Sequence, residues 1–89
     1  MRAVITVLGT DRVGIIAGVS TTLALANVNI MDITQTIMKD IFTMIMVVDT
    51  GAASISFEEL DRSLGAKGEE LGLQIRLQRE DIFNSMHRI

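Results

Sequence analysis

The corner of the sequence that decides the fold is Gly9-Thr10-Asp11-Arg12-Val13-Gly14-Ile15. An apolar, strand-like run ends immediately before it, and a run rich in small residues at helical spacing follows it. Glycine permits a tight turn or the close approach of another group. A helix N-terminus presents free N–H groups and the positive end of the helix dipole. The stretch therefore predicts a strand-to-helix corner that could hold a small anionic or zwitterionic ligand.

The N-terminal half of the chain predicts a strand, a helix and a hairpin. The expected elements are a strand over residues 2–9, a helix over 13–26 and strands over 28–39 and 41–49. Asp11 or Thr10 is expected to cap the helix. Asn27 is expected to end it, because asparagine tolerates the left-handed conformation. Lys39-Asp40 is expected to form the tight turn of the hairpin.

The C-terminal half predicts a helix, a strand and a terminal helix. Ser56 and Glu59 have the spacing of a capping box, and Gly72 is a typical stop for the helix that they open. Residues 73–79 alternate strictly between apolar and polar, which is typical of a strand with one solvated face. Helical spacing then resumes over residues 80–89, with an apolar stripe formed by Ile82, Phe83, Met86 and Ile89.

This order predicts an α+β fold of the ferredoxin-like type. It is a βαββαβ antiparallel sheet with two helices on one face, plus a short C-terminal helix. We expect residues 1–79 to form the domain and residues 80–89 to form a helical extension.

The second face of the predicted sheet needs a cover. The third strand is apolar on both faces, with Phe42, Met44, Met46 and Val48 on one and Ile41, Ile45 and Val47 on the other. In the second strand, Met31, Ile33 and Ile37 are expected to oppose Val28, Ile30 and Met38. Large exposed apolar patches usually mark interfaces. The cover could be the terminal helix or a second subunit, and we predict a homodimer.

Composition excludes several classes of function. The net charge is −3, and the only aromatic residues are three phenylalanines, which argues against a nucleic-acid partner. The chain has no cysteine and one histidine, His87, so neither a nucleophile–base pair nor metal-ligand spacing is visible. No apolar run is long enough to span a bilayer. We therefore predict a cytoplasmic protein that has no catalytic residues, needs no metal or other cofactor and does not bind a membrane.

Two motifs resemble those of the ACT domain family. The corner at residues 9–15 is similar to the family's opening motif, glycine, variable residues, Asp-Arg and then Gly-Leu or Gly-Ile. The segment Asn27-Val28-Asn29-Ile30-Met31-Asp32-Ile33 resembles the family's Asn-Ile-x-Asp-Ile. Val13 stands where many relatives carry proline. The chain as a whole looks like a small stand-alone ACT protein, similar to the ACT halves of glycine-cleavage regulators and formyltetrahydrofolate hydrolases.

The resemblance implies a regulatory domain that binds an amino acid or related metabolite between paired domains. Ligand-binding residues carried over from the family are Thr10, Asp11, Arg12, Val13, Gly14 and Ile15 in the corner, with Asn29 and Ile30 at the start of the second strand. From the inferred strand order, we expect Asn29 to lie near the corner. A carboxylate would lie at the helix N-terminus, and an ammonium group would meet Asp11 or Asn29.

Plainer interpretations of the same residues stay open. Asp11 could serve only as a helix cap, Arg12 could be a solvated surface charge, and Gly14 could matter only for packing. As an alternative function, the chain could be a ligand-free interaction module that docks a protein partner through its C-terminal amphipathic helix. An enzyme is a third interpretation, and it has the least support because no activated nucleophile is visible.

Overall fold

The periodicities of the chain produce the predicted order of strands and helices. The structure, a computed structural model, describes residues 1–86. Its elements are β1 (Arg2–Thr10), α1 (Ile15–Leu25), β2 (Asn29–Met38), β3 (Ile41–Asp49), α2 (Phe57–Leu71), β4 (Leu73–Arg79) and α3 (Glu80–Met86). The strand bounds differ from the expected ones by one residue at most, and α1 begins two residues later than expected. The predictions for His87 and Ile89 concern residues outside the described part.

The four strands form one antiparallel sheet in the order β2-β3-β1-β4. Because β3 is antiparallel to both of its neighbours, β1 and β2 run in the same direction. The helices α1 and α2 contact each other and enclose the core against one face of the sheet. The largest fully buried side chains belong to these helices and to alternate positions of β1 and β3: Ile5, Leu23, Met44, Met46, Leu60 and Leu64. The predicted ferredoxin-like class is confirmed.

Local signals fix the ends of α2. Ser56 is its N-cap, and the Ser56 hydroxyl accepts a hydrogen bond from the Glu59 N–H at 3.1 Å. The same hydroxyl donates to Glu59 Oε1 at 3.3 Å, which completes a capping interaction between the two side chains. Gly72 ends the helix in the left-handed conformation, with φ of 70°. Both predicted signals are confirmed.

The strand β2 contains a bulge that the sequence pattern did not reveal. Ile30 pairs with Val48, but the next paired residue is Asp32, so Met31 has no partner in β3. The extra residue places Ile30 and Ile33 on the same, helix-covered side of the sheet, because each lies opposite a buried residue of β3. The prediction that they oppose each other is wrong.

The second face of the sheet is only partly covered. The helix α3 contacts β1 and β4, and Val4 is buried although it belongs to this face. On the same face, the side chains of Leu8, Ile41 and Ile45 remain exposed. The terminal helix therefore covers one part of the face and leaves an apolar remainder. Within residues 1–86, no helix is both long enough and apolar enough to cross a membrane.

Candidate functional site

The corner between β1 and α1 begins with a close approach of two strands. Gly9 lies beside Leu73, the first residue of β4. A Cβ atom at Gly9 would come within 2.5 Å of Leu73 Cδ2 and 3.3 Å of the Gly72 carbonyl oxygen. A larger residue at position 9 would therefore force the Leu73 side chain to move and would press on the backbone at Gly72. Glycine here brings the corner against the C-terminal end of α2.

Two long-range hydrogen bonds hold the loop that follows Gly9. The Asp11 N–H donates to the Asp40 carbonyl oxygen at 2.7 Å, which joins the loop to the β2–β3 hairpin. The Arg12 guanidinium donates through Nη1 to the Leu71 carbonyl oxygen at 3.2 Å, which joins it to the last residue of α2. The loop is thus anchored on both sides before any ligand binds.

The helix α1 begins without a side-chain cap. Its N-cap is Gly14, with φ of 96° and ψ of 2°, and no side chain accepts a hydrogen bond from the first turn. The prediction of a cap at Asp11 or Thr10 is wrong. A capping side chain belongs to the N-cap residue itself, and the tight turn at Gly14 leaves Asp11 and Thr10 several residues outside the helix. No acidic residue lies in the first turn either, so the positive end of the dipole is uncompensated.

Charges around the corner have both signs. Arg12 lies at the C-terminal end of α2, which has no basic residue in its own last turn, so its positive charge meets the negative end of that helix dipole. The pKa of Glu70 is below its ordinary value, chiefly because the Lys67 ammonium donates to its carboxylate at 2.8 Å, and the charge of Arg12 lowers it further. The carboxylate of Asp11 is exposed and makes no hydrogen bond or ion pair with the rest of residues 1–86.

The other corner residues divide into exposed and buried groups. Thr10 and Arg12 are exposed, the Val13 side chain is 97% exposed, and the space around Gly14 is open. The side chain of Ile15, by contrast, is buried in the core, so only its backbone can face a ligand. The corner therefore presents backbone N–H groups, one free carboxylate and one anchored guanidinium on an open surface.

Asn29 and Ile30 do not join this site within one chain. Thr10 at the end of β1 pairs with Ile41 at the start of β3, whereas Asn29 pairs with Asp49 at the end of β3. The length of β3 therefore separates Asn29 from the corner, about 25 Å at the usual rise per residue. The prediction that Asn29 lies near the corner of its own chain is wrong. The side chain of Ile30 packs against the core at that far end.

The structure places near the corner two segments that the sequence reasoning did not include. They are the Lys39-Asp40 turn, where Lys39 has φ of 60°, and the end of α2 at Leu71. The hairpin turn had been predicted, and its position could have been found by counting antiparallel pairs from Thr10 to Ile41. No comparable signal in the sequence points to Leu71, because that contact depends on how α2 packs.

Two grooves lie away from the corner. One, of about 470 Å³, lies between α1 and α2 and is lined mainly by small side chains, with Leu25, Lys67 and Glu70 among the larger ones. The other, of about 340 Å³, lies on the second face of the sheet beside α3. Neither groove includes a residue of the loop from Asp11 to Ile15. The corner is thus an open half-site on the surface of the single chain.

Comparison with known proteins assigns the chain to a family. The sequence model of the ACT domain matches residues 2–78. A UPF0237 protein of Clostridium acetobutylicum is 53% identical over 89 residues, which cover 100% of both chains. The ACT domain is a regulatory small-molecule-binding fold that is found in regulators of amino-acid metabolism.

Solved structures agree with this assignment. An ACT domain protein from Streptococcus pneumoniae superposes with a TM-score of 0.81 at 40% identity, over 98% of each chain. A structure described as a proposed glycine cleavage system transcriptional repressor superposes with a TM-score of 0.76 at 26% identity, over 86% of this chain and 44% of that one. The resemblance in the two motifs is therefore confirmed, and this chain belongs to the ACT domain family.

Proposed function

We propose that this protein is a cytoplasmic regulatory domain that senses an amino acid or a related metabolite at the interface of a homodimer. The observation that carries the proposal is the uncapped start of α1 at Gly14, with the free carboxylate of Asp11 beside it. The N–H groups of the first turn would receive the ligand's carboxylate. Asp11 would receive its ammonium group, while Thr10, Arg12 and Val13 form the surrounding loop.

The anchoring of the loop supports binding without a large rearrangement. The hydrogen bonds from Asp11 to Asp40 and from Arg12 to Leu71 fix the backbone on both sides of the site. A backbone that is already ordered costs less conformational entropy when a ligand binds. The open space around Gly14 allows a ligand to approach the backbone closely.

A second copy would supply the missing wall of the site. The edge strand β2 is ten residues long, all but one of its residues are exposed, and Asp32 is its only charged residue. Its side chains of Ile33, Ile37 and Met38 are among the exposed large apolar groups. A long exposed edge strand with a single charge is a template for pairing with another strand. We propose that two β2 edges pair antiparallel about a two-fold axis.

This pairing would bring Asn29 and Ile30 of one copy near the corner, residues 10–15, of the other copy. In an antiparallel pair, the start of one strand lies beside the end of the other. Asn29 of one copy would therefore lie beside the β2–β3 hairpin of the second copy, and that hairpin accepts the Asp11 hydrogen bond. Asn29 and Ile30 would then contribute across the interface to the corner of the other chain.

A thermal-shift panel of the common amino acids tests ligand binding. A binding amino acid, present at a concentration about 100 times its dissociation constant, is expected to raise the free energy of unfolding by about 2.7 kcal/mol. Asp11→Asn is expected to remove most of this stabilisation, and Asp61→Asn, at an exposed site on α2, serves as the matched control. A panel in which no amino acid raises the melting temperature would refute the ligand class.

Light scattering at micromolar concentration tests the dimer. Thr34 lies at the middle of β2, so Thr34→Lys would place two like charges close together across the two-fold axis and weaken the pair. Gln74→Lys introduces the same positive charge in β4, the opposite edge strand, and serves as the control. We expect the wild type and Gln74→Lys to be dimers and Thr34→Lys to shift toward monomer. A monomeric wild type, or a dimer broken only by Gln74→Lys, would contradict the arrangement.

A further inference from the structure

The second face of the sheet carries a pocket where α3 crosses the strands. Its volume is about 340 Å³, and it is formed by β1, β3, β4 and the side chain of Phe83. Cavities of about 300–1,000 Å³ are typical of small-molecule sites. The corner at Gly14 lies at the start of α1, and α1 packs on the other face of the sheet. The sheet therefore separates the pocket from the corner.

One side of the pocket is a row of polar side chains on β4. Gln74, Arg76 and Gln78 alternate along the strand and therefore point to the same face. Arg76 pairs with Thr6 of β1, whose hydroxyl also lines the pocket. The row thus places the guanidinium of Arg76 beside the amide of Gln74 and the hydroxyl of Thr6, both of which can donate hydrogen bonds.

Within residues 1–86, no acidic group pairs with Arg76. Its basic neighbours are paired, since Arg2 contacts Glu80 at 3.3 Å and Arg79 contacts Asp81 at 3.2 Å. Arg76 has no ion pair or hydrogen bond with another side chain of residues 1–86, and no acidic residue lines the pocket. Among the described residues of the lining, Arg76 is therefore a cationic group without an acidic partner.

The other side of the pocket is apolar. Leu8 and Ile45, which are 43% and 38% exposed, form this wall together with Phe83 of α3. Their registers bring them next to the polar row, because Leu8 pairs with Gln74 and Ile45 pairs with Thr6. A ligand that fills the pocket would bury both apolar side chains and complete the contact of α3 with the sheet.

We propose that this pocket binds a small organic monocarboxylate that has an apolar body and no ammonium group. The guanidinium of Arg76 is suited to bind a carboxylate through two parallel hydrogen bonds, and the wall of Leu8, Ile45 and Phe83 receives the apolar body. A phosphate carries more charge than one guanidinium offsets. An amino-acid zwitterion would place its ammonium group where the described part of the lining, within residues 1–86, has no carboxylate to receive it.

Titration with 3-phenylpropionate, followed by the methyl NMR signals of the full chain, tests the proposal. The methyl groups of Thr6, Leu8 and Ile45 are expected to shift together and to saturate, with an affinity in the millimolar range or tighter. L-phenylalanine has the same apolar body plus an ammonium group, and acetate has the carboxylate alone. Both are expected to bind at least about tenfold more weakly, a difference of about 1.4 kcal/mol.

Two variants assign the binding to the guanidinium. Arg76→Gln is expected to weaken 3-phenylpropionate binding by about tenfold or more, because a hydrogen bond to a charged group is lost. Arg62→Gln removes the same charge from an exposed site on α2 and is expected to leave the affinity unchanged. Unshifted signals away from the pocket show that each variant is folded.

Three results would overturn the proposal: no saturable shift at these methyl groups, equal affinity for phenylalanine or acetate, or equal affinity in Arg76→Gln. None of them bears on amino-acid binding at the corner, because that prediction is tested with Asp11→Asn.

Discussion

Two glycines in α2 lie in opposite surroundings, and the same substitution is expected to act on them with opposite sign. Gly65 is exposed, and a Cβ atom there would meet nothing within 4 Å. Gly68 is buried against β4, and a Cβ atom there would lie 2.9 Å from the Leu73 carbonyl oxygen and 3.3 Å from Ile75 Cγ1. The first distance is to backbone, which cannot move aside as a flexible side chain can.

The size of each effect follows from helix propensity and packing. Alanine is favoured over glycine inside a helix by about 1 kcal/mol, so Gly65→Ala is expected to stabilise the protein by about that amount. Gly68→Ala gains the same propensity but forces α2 away from β4, which costs about 1–3 kcal/mol. Because the Cβ atom would meet backbone at 2.9 Å, we expect this cost to exceed the propensity gain, so that Gly68→Ala is a net loss. Because the propensity gain cancels, the difference between the two variants measures the packing cost alone.

Urea unfolding at one fixed protein concentration is the assay, since assembly makes stability depend on concentration. The two midpoints are expected to lie on opposite sides of the wild type, with unchanged slopes. The separation of about 1–3 kcal/mol corresponds to at least about 4 °C in melting temperature. Equal stability of the two variants, or a Gly68→Ala variant more stable than the wild type, would refute the argument that the close approach of α2 to β4 requires glycine.

Three further predictions concern single side chains. Gly14→Ala is expected to cost about 1–2 kcal/mol, because alanine must adopt the positive φ of the α1 N-cap; a loss below half of that in urea unfolding would contradict it. Ser56→Ala is expected to cost about 1 kcal/mol through loss of the α2 cap, and a melting temperature equal to that of the wild type would speak against it. The Gly51 N–H donates to the Asp49 carboxylate at 2.8 Å and lowers its pKa below 3.8, with a smaller contribution from the N-terminal ammonium group. The resulting stabilisation is fully present above the unfolded pKa and is lost as the pH falls through the lowered folded value. Between about pH 5 and about pH 2, the urea midpoint of Asp49→Asn is therefore expected to fall less than that of the wild type. Midpoints of the two proteins that fall in parallel with pH would exclude this role.

Elements defined by local signals were predictable from the sequence. Ser56 with Glu59 and the glycine at position 72 are short-range patterns, and both mark the ends of α2 in the structure. The start of α1 was less accessible, because Asp11 and Gly14 are each plausible N-terminal residues by type. The structure selects Gly14 as the N-cap, and the Asp11 N–H instead donates to the carbonyl oxygen of a distant residue, Asp40.

The position of Asn29 shows a different kind of error. The predicted topology already made β1 and β2 parallel, and the corner follows the end of β1 while Asn29 begins β2. Two such positions lie at opposite ends of a sheet, so Asn29 lies away from the corner of its own chain. The corner residues from Thr10 to Ile15 do lie together, whereas their contact with Asn29 requires a second chain.

The bulge in β2 has a consequence for changes in chain length. Met31 is unpaired, while its neighbours Ile30 and Asp32 both have partners in β3. Deleting Met31 would restore a regular ladder and leave every other side chain of the strand on its present side. Deleting Thr34 instead would invert the residues on one side of the gap, and the inverted set would include either Ile33 or Ile37. Position 31 is thus the place in this strand where evolution or protein engineering can remove a residue without moving other side chains of β2 to the opposite face.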